Sequence, residues 1–271
     1  MRTIVNQINP ALVKAHKAVK DRLSTDKLYF HPLVIDLPHG RGACTTSFCA
    51  MEALNAIETS IVKYKNASTG ARLPNKPYYT APKNDVAQLV DVFYIGTPET
   101  IRYCGMMYFQ WALEKLRIQK DYTINKAKGY IERKGFGNRI MFMPTSRFRP
   151  HMIQRSKPTI IIIDDATQLQ KRIFDAIMQT SQNLNDWTGR NSVIMVAYNE
   201  GSDPNLNIAC SIPSDEKANY LRVHSTYKTV PREWLGETFF TQADSLKKVN
   251  PQAYKAEYLG IFTVNYGNGR G

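Results

Sequence analysis

The stretch TIIIIDDAT, residues 159–167, decides the fold. Four consecutive isoleucines leave no polar face, and a short apolar run of this kind is typical of a strand buried on both faces of a parallel sheet. Two carboxylates, Asp164 and Asp165, stand at its C-terminal end. Parallel α/β sheets bind ligands at that edge. Adjacent buried carboxylates repel each other unless a cation sits near them, so the pair suits a metal-dependent site. The plainer alternative is a strand end with an Asp N-cap for the next helix.

Outward from this strand, the chain alternates. A helix is expected over residues 168–182 and a second buried strand over 192–197. Upstream, residues 10–23 read as a helix, 31–37 as a strand, 38–45 as a loop and 46–64 as a helix. The helix carries apolar positions at Phe48, Met51, Leu54, Ile57 and Ile61. Residues 89–95 form another strand, leading through Gly96-Thr97-Pro98 into a helix ending near Leu116. Residues 130–134 and 139–143, with GFGN between them, read as an antiparallel hairpin. A strand around 221–225 and helices near 234–248 and 251–259 close the chain, and this end looks separate from the rest. Residues 65–85, rich in Asn, Pro, Gly and Lys, read as a long exposed loop. The pattern predicts an α/β fold with a mostly parallel central sheet and flanking helices.

The loop after the first strand, LPHGRGACTTSF at 37–48, approaches the phosphate-loop pattern G-x-x-x-x-G-K-[ST] and departs from it. With Thr46 as the final hydroxyl, Thr45 stands where the lysine belongs, and Cys44 and His39 stand where the glycines belong. The glycines are Gly40 and Gly42 instead. The strand–loop–helix setting is nonetheless the one such a loop requires. Backbone N–H groups entering the helix can hold phosphate, which makes Gly40, Arg41, Gly42, Ala43, Cys44, Thr45 and Thr46 candidate nucleotide-binding residues. Thr46 is placed to offer its hydroxyl to Mg²⁺, and Arg41 can replace the missing positive charge. A glycine turn that merely feeds a helix explains the same residues.

The 271 residues carry a formal net charge of +13, which favours a polyanionic partner. The excess is concentrated: residues 114–157 hold twelve Lys/Arg against three Asp/Glu, a local net of +9. Four cysteines without CxxC spacing argue against a zinc site and for reduced thiols. No stretch approaches the roughly 20 apolar residues of a membrane span, and the N-terminus lacks a secretory pattern.

The order of these features resembles the ATPase portion of the tailed-bacteriophage large terminases. The GRG loop, the apolar strand with DD, VAYNEGSDPN and the closing VHSTYKTVPREWL…NPQAYKAEYLGIF carry the resemblance, which spans roughly residues 30–265. The last segment is its most specific part and argues against a helicase-like ATPase. The resemblance implies a P-loop ATPase core over 1–212 and a small C-terminal lid over 213–271. A family loop of the form G-G-R-G-S-G-K-S falls on His39 through Thr46, where Arg41 matches. The family's D-E pair falls on Asp164, for Mg²⁺, and on Asp165, as the residue that positions the attacking water. Its coupling motif falls near Tyr198 and Asn199, where the amide can sense the γ-phosphate. Arg155, with Arg149 second, is the candidate arginine acting on a neighbouring subunit's ATP. Also implied are ATP and Mg²⁺ as ligands, double-stranded DNA as substrate and a homo-oligomeric ring. The resemblance adds a portal protein and a small terminase subunit as partners, and action at the procapsid portal in the bacterial host cytoplasm. The chain stops at Gly271, so the family's nuclease domain and DNA cleavage are not expected of it. A nucleotide-dead DNA-binding or assembly subunit of the same fold is the rival expectation, and the missing lysine is its best argument.

Overall fold

The computed structural model describes residues 8–25, 27–68, 90–136, 138–156, 158–185, 191–202 and 219–262. Its strands are β1 (Leu33–Pro38), β2 (Val90–Gly96), β3 (Tyr122–Asn125), β4 (Tyr130–Arg133), β5 (Arg139–Pro144), β6 (Ile160–Asp164), β7 (Val193–Tyr198) and β8 (Tyr220–Arg222). They form one eight-stranded sheet in the order β3-β4-β5-β2-β6-β7-β1-β8. The pairs from β5 across to β8 are parallel, and β3 and β4 extend the sheet antiparallel.

Every residue of β6 is buried. Ile160 and Ile162 face a core shared with the helices α1 (Val13–Ser24), α2 (Thr45–Ser68) and α3 (Met106–Lys115). Ile161 and Ile163 face the opposite core, which includes Ile153 of α4 (His151–Ser156) and Phe174 and Ile177 of α5 (Lys171–Ser181). Burying each isoleucine favours folding by about 1.5–3 kcal/mol. Four of them outweigh the cost of drawing one hydrogen-bonded carboxylate inward, and Asp164 ends only 4% exposed.

Several boundaries differ from the sequence reading. Helix α2 runs to Ser68, past the expected loop start at Lys65, and residues 69–85 of that loop lie outside the described residues. A 3-10 turn, Ala166–Gln168, separates β6 from α5, because Asp165 adopts a left-handed backbone (φ 57) and Leu169 is extended. The helix expected from Trp234 starts at Glu237: Gly236, at φ 75, breaks the chain direction after a 3-10 turn over Arg232–Trp234. Strand β3 was not expected. It pairs with β4 from Tyr122↔Arg133 to Asn125↔Tyr130, while the expected hairpin is β4 with β5. The end of the chain joins the same sheet through β8, and an isolated bridge links His39 to Ser225. Helices α6 (Glu237–Val249) and α7 (Pro251–Leu259) then build a small aromatic core of Tyr227, Tyr254 and Tyr258, with Phe239 packed on it.

Candidate active site

Strands β1 and β6 run parallel on either side of β7, so the loop after β1 and the two aspartates at the end of β6 emerge at one edge. There they meet. Thr46, the second residue of α2, donates its hydroxyl to Asp164 Oδ2 at 3.0 Å. The first bond closing α2 is Phe48 N–H to Cys44 C=O at 3.1 Å. The N–H groups of Cys44, Thr45 and Thr46 precede that bond and have no partner within the helix, which is the usual basis of anion binding at a helix start. Gly42 (φ 80) and Cys44 (φ 61) shape the entry. A left-handed cysteine is unfavourable by about 1–2 kcal/mol. Neighbours hold it there: Ser47 Oγ donates to the Cys44 carbonyl at 2.7 Å, and the buried Asn9 Nδ2 donates to the Ala43 carbonyl at 2.9 Å.

Asp164 accepts three hydrogen bonds. Thr46 and the Tyr94 hydroxyl bind Oδ2, and the Asp165 N–H binds Oδ1 at 3.1 Å. Burial pushes its carboxyl above the usual range; Tyr94, the nearby His39 and Thr46 oppose that rise, while Asp165 adds to it. His39 is shifted the other way, because burial disfavours its imidazolium more than Asp164, the Gly40 carbonyl and Asp165 favour it. Burial and the neighbouring Asp164 also push up the Tyr94 hydroxyl and the Cys49 thiol. Asp165 is bound from the β2 side by Thr100 Oγ1, 3.1 Å from Oδ2.

The remaining predicted residues divide by location. Gly40 and Gly42 are pressed by the C-terminal segment. A Cβ on Gly40 would lie 2.0 Å from the Tyr258 carbonyl oxygen, and one on Gly42 would lie 2.4 Å from the Phe239 ring. The close approach these glycines allow is therefore to protein. Arg41 turns to α7: its N–H donates to the Glu257 carbonyl at 2.7 Å, Nη1 meets Glu257 Oε1 at 2.6 Å, and the guanidinium lies over the Tyr258 ring. Thr45 is 2% exposed, with Oγ1 3.3 Å from Ser225 Oγ. Asn199 also faces α7, donating to the Glu257 carbonyl at 3.2 Å and accepting from the Gly201 N–H at 2.9 Å. Arg155 is exposed in the last turn of α4, and Arg149 is exposed with Nη1 donating to the carbonyls of Ser146 and Phe148. The structure thus unites Thr46, Asp164 and Asp165, gathers Arg41 and Asn199 on α7, and leaves the two arginines outside. Sequence reasoning missed Tyr94 and Thr100. Thr97-Pro98 did carry a helix-start signal that placed Thr100 one turn beyond the C-terminal end of β2.

Among the described residues, no group of three or more His, Cys, Asp or Glu is arranged to hold a metal ion. A hydroxyl bonded to a strand-end carboxylate is a different donor set, and Thr46 with Asp164 supplies it. None of the helices, among the described residues, is long and apolar enough to cross a membrane.

A glycine-bearing loop that enters a helix beside strand-end carboxylates, on a largely parallel sheet between helical layers, defines a P-loop-like α/β fold. Residues 99–261 match the phage terminase large subunit family. That is more than half of the chain, which belongs to this family. No curated protein matches it. In fold it is similar to the large terminase of a thermophilic bacteriophage solved in complex with ADP, at TM-score 0.54 and 12% identity over 95% of this chain and 54% of that one. It is also similar to the large terminase of bacteriophage HK97, at TM-score 0.57 and 10% identity over 92% of this chain and 50% of that one. The chain spans about half the length of these relatives.

Proposed function

We propose that this chain is an ATP-hydrolysing motor unit that drives double-stranded DNA into a procapsid. The observation that carries the reading is the 3.0 Å bond between Thr46 and Asp164, which joins the loop after β1 to the end of β6. The thermophilic phage's terminase, similar in fold, was solved with ADP. The N–H groups at the start of α2 would receive phosphate, and Thr46 with Asp164 would hold Mg²⁺. When bound, that ion neutralises charge on the β- and γ-phosphates. Asp165 orients the attacking water. Arg41, once released from Glu257, adds charge near the phosphates, and Asn199 reports their state to α7. Arg155, with Arg149 second, is proposed to act on a neighbouring subunit in a ring. Residues 1–212 serve as the ATPase core and 213–271 as its lid. Portal protein and small terminase subunit are the expected partners, at the procapsid in the host cytoplasm.

DNA binding is supported by the hairpin side of the sheet. Its acids are engaged by inner arginines: Glu58 lies 2.8 Å and Asp121 3.7 Å from Arg133, and Glu132 pairs with Arg139. Lys126, Lys128 and Lys134 are exposed, and among the described residues no carboxylate lies within ion-pair range of them. Exposed lysines whose neighbouring carboxylates are paired with arginines suit phosphate backbone contact.

The test is titration with ATP and Mg²⁺, followed by phosphate release with and without DNA. Asp164→Asn is expected to lose metal-dependent binding, and Asp165→Asn to retain binding while losing turnover. A second reading, a nucleotide-dead subunit of the same fold, has its own support: Thr45 is buried against Ser225 and Arg41 is held by Glu257. Absence of ATP binding by the folded chain would establish it.

A further inference from the structure

The loop that opens α2 carries a cysteine where the phosphate pattern has its second glycine. Cys44 takes φ 61, a conformation that glycine reaches freely and an L side chain resists. The peptide units are planar, so φ of Cys44 sets the plane before its Cα and ψ the plane after it. Hydrogen bonds hold both planes. The plane after Cys44 is fixed by its own carbonyl, which accepts from the Phe48 N–H at 3.1 Å and from Ser47 Oγ at 2.7 Å. The plane before it is fixed by the Ala43 carbonyl, whose donor among the described residues is Asn9 Nδ2, at 2.9 Å.

Asn9 is fully buried. Its Oδ1 accepts from the Ala11 N–H at 3.0 Å, and Nδ2 also reaches the Thr226 carbonyl at 3.5 Å. An N–H only donates and a carbonyl only accepts, so the amide sits one way round, with Nδ2 toward the loop. Its own backbone is anchored. Ile8 and Leu12, on either side, belong to the core, and His16 of α1 bonds Glu52 of α2 at 2.7 Å. The segment before α1 and the helix that the loop opens are thereby one frame. Asn9 precedes residues 99–261, which match the family.

In a trans peptide the C=O and the N–H point opposite ways. Drawing the Ala43 carbonyl toward Asn9 therefore turns the Cys44 N–H away from the buried amide. A reversed plane would put a carbonyl oxygen, which repels anions, where that N–H stands. We infer that Asn9 is a positioning residue for phosphate binding: it holds the Ala43–Cys44 peptide in the orientation that presents the Cys44 N–H. It thus does for Cys44 what a glycine at that place would do unaided. This rests on the proposed role of the loop as the phosphate site.

The test uses the full chain and titrates ADP with Mg²⁺ into Asn9→Ser, Cys44→Gly and the double variant. Serine retains a side-chain cap for Ala11 and lacks the amide that reaches Ala43. Asn9→Ser is expected to weaken ADP binding about five- to thirtyfold, the range for leaving a left-handed cysteine unsupported. Cys44→Gly should bind ADP at least as tightly as the unmodified chain. Within that background Asn9→Ser should cost less than about threefold, because glycine takes either sign of φ with similar ease. A plain anchor for the segment before α1 would instead lower the thermal midpoint equally in both backgrounds and leave the ADP affinity of the folded protein unchanged. An equal loss of ADP affinity in both backgrounds, or none in either, overturns the inference alone. Should Asn9→Ser not fold, Asn9→Asp, which keeps the size and the bond to Ala11, is read in the same way. No ADP binding by the unmodified chain overturns the phosphate role of the loop and this inference together.

Discussion

Tyr94→Phe removes one hydroxyl from a closed site and leaves the ring, so its effect can be worked from the structure. Tyr94 is fully buried, and Phe109 and Phe142 pack on its ring, contacts that phenylalanine keeps. The lost bond goes to Asp164, whose folded-state carboxyl is raised above its ordinary 3.8 by burial and held down in part by Tyr94. A group raised on folding is favoured in its protonated form; that contribution is complete below 3.8 and is lost as pH rises through the folded value. Removing the hydroxyl raises the carboxyl further, so the variant's deficit must grow with pH. At acid pH it loses a bond between neutral groups, about 0.5–1.5 kcal/mol; above the folded value it loses one to a carboxylate, about 1.5–3 kcal/mol. Urea unfolding over a pH series running upward from about pH 4 follows how the deficit changes as the carboxyl ionises. In an Asp164→Asn background the pH dependence of the deficit should vanish, because the partner no longer titrates. A deficit that is constant across this range in the Asp164 protein would refute the reasoning.

Other expectations rest on the same geometry. The Arg41–Glu257 pair is half exposed, at 52% and 43%, so Arg41→Ala should alter stability by no more than about 1 kcal/mol. ATP affinity, measured by titration, should fall about tenfold or more if Arg41 reaches phosphate, and Glu257→Gln should tighten it; no change in either variant would remove Arg41 from the site. Replacing Lys126, Lys128 and Lys134 together with Gln should weaken DNA binding regardless of sequence and flatten its salt dependence by a slope of about 2–3. An unchanged slope would place the DNA elsewhere. His16 bonds the buried Glu52 at 2.7 Å and is raised above 6.5 by it. Its stabilisation is therefore complete below 6.5 and lost as pH rises through the folded value. His16→Gln should lower stability by about 1–3 kcal/mol near pH 6 and by less near pH 9. Equal losses at both pH values in urea unfolding would contradict this.

The fold was legible wherever burial imposes a pattern. A strand covered on both faces must be apolar throughout, and β6 and β7 announced themselves in that way. β3 did not. Tyr122–Asn125 is a four-residue edge strand in which only Tyr122 is buried, so it shows no alternation to read. Its position is set by its partners: the Tyr122 hydroxyl donates to Glu58 at 2.8 Å, and Arg133 binds the same Glu58 oxygen from the neighbouring strand. The C-terminal end presents the converse. Its helices were readable, but the attachment of β8 to β1 depends on pairings between residues far apart in the chain, Val34↔Tyr220 among them, which local pattern cannot reveal.

At the site, Thr46, Asp164 and Asp165 were found because each stands at the end of an element whose residues show where it ends. Tyr94 and Thr100 lie on the neighbouring strand β2 and just beyond it, and their relation to the aspartates is set by register. Tyr94 pairs with Ile162 and Ile95 with Ile163, which brings the C-terminal end of β2 level with Asp164. A motif records spacing along one segment and cannot hold a register between two. The glycines of the loop show the same limit from the other side. Gly40 is required by the backbone of Tyr258, and Gly42 by its left-handed backbone (φ 80), with the Phe239 ring packed against it. Gly260 (φ 61) is pressed in turn against the His39 carbonyl. Glycine at 40 and 42, where the phosphate pattern has it at 39 and 44, therefore marks where α6 and α7 close on the loop. Any movement of those helices must change the same backbone whose N–H groups begin α2, so the departure from the pattern and the coupling of this loop to the C-terminal helices have one physical origin.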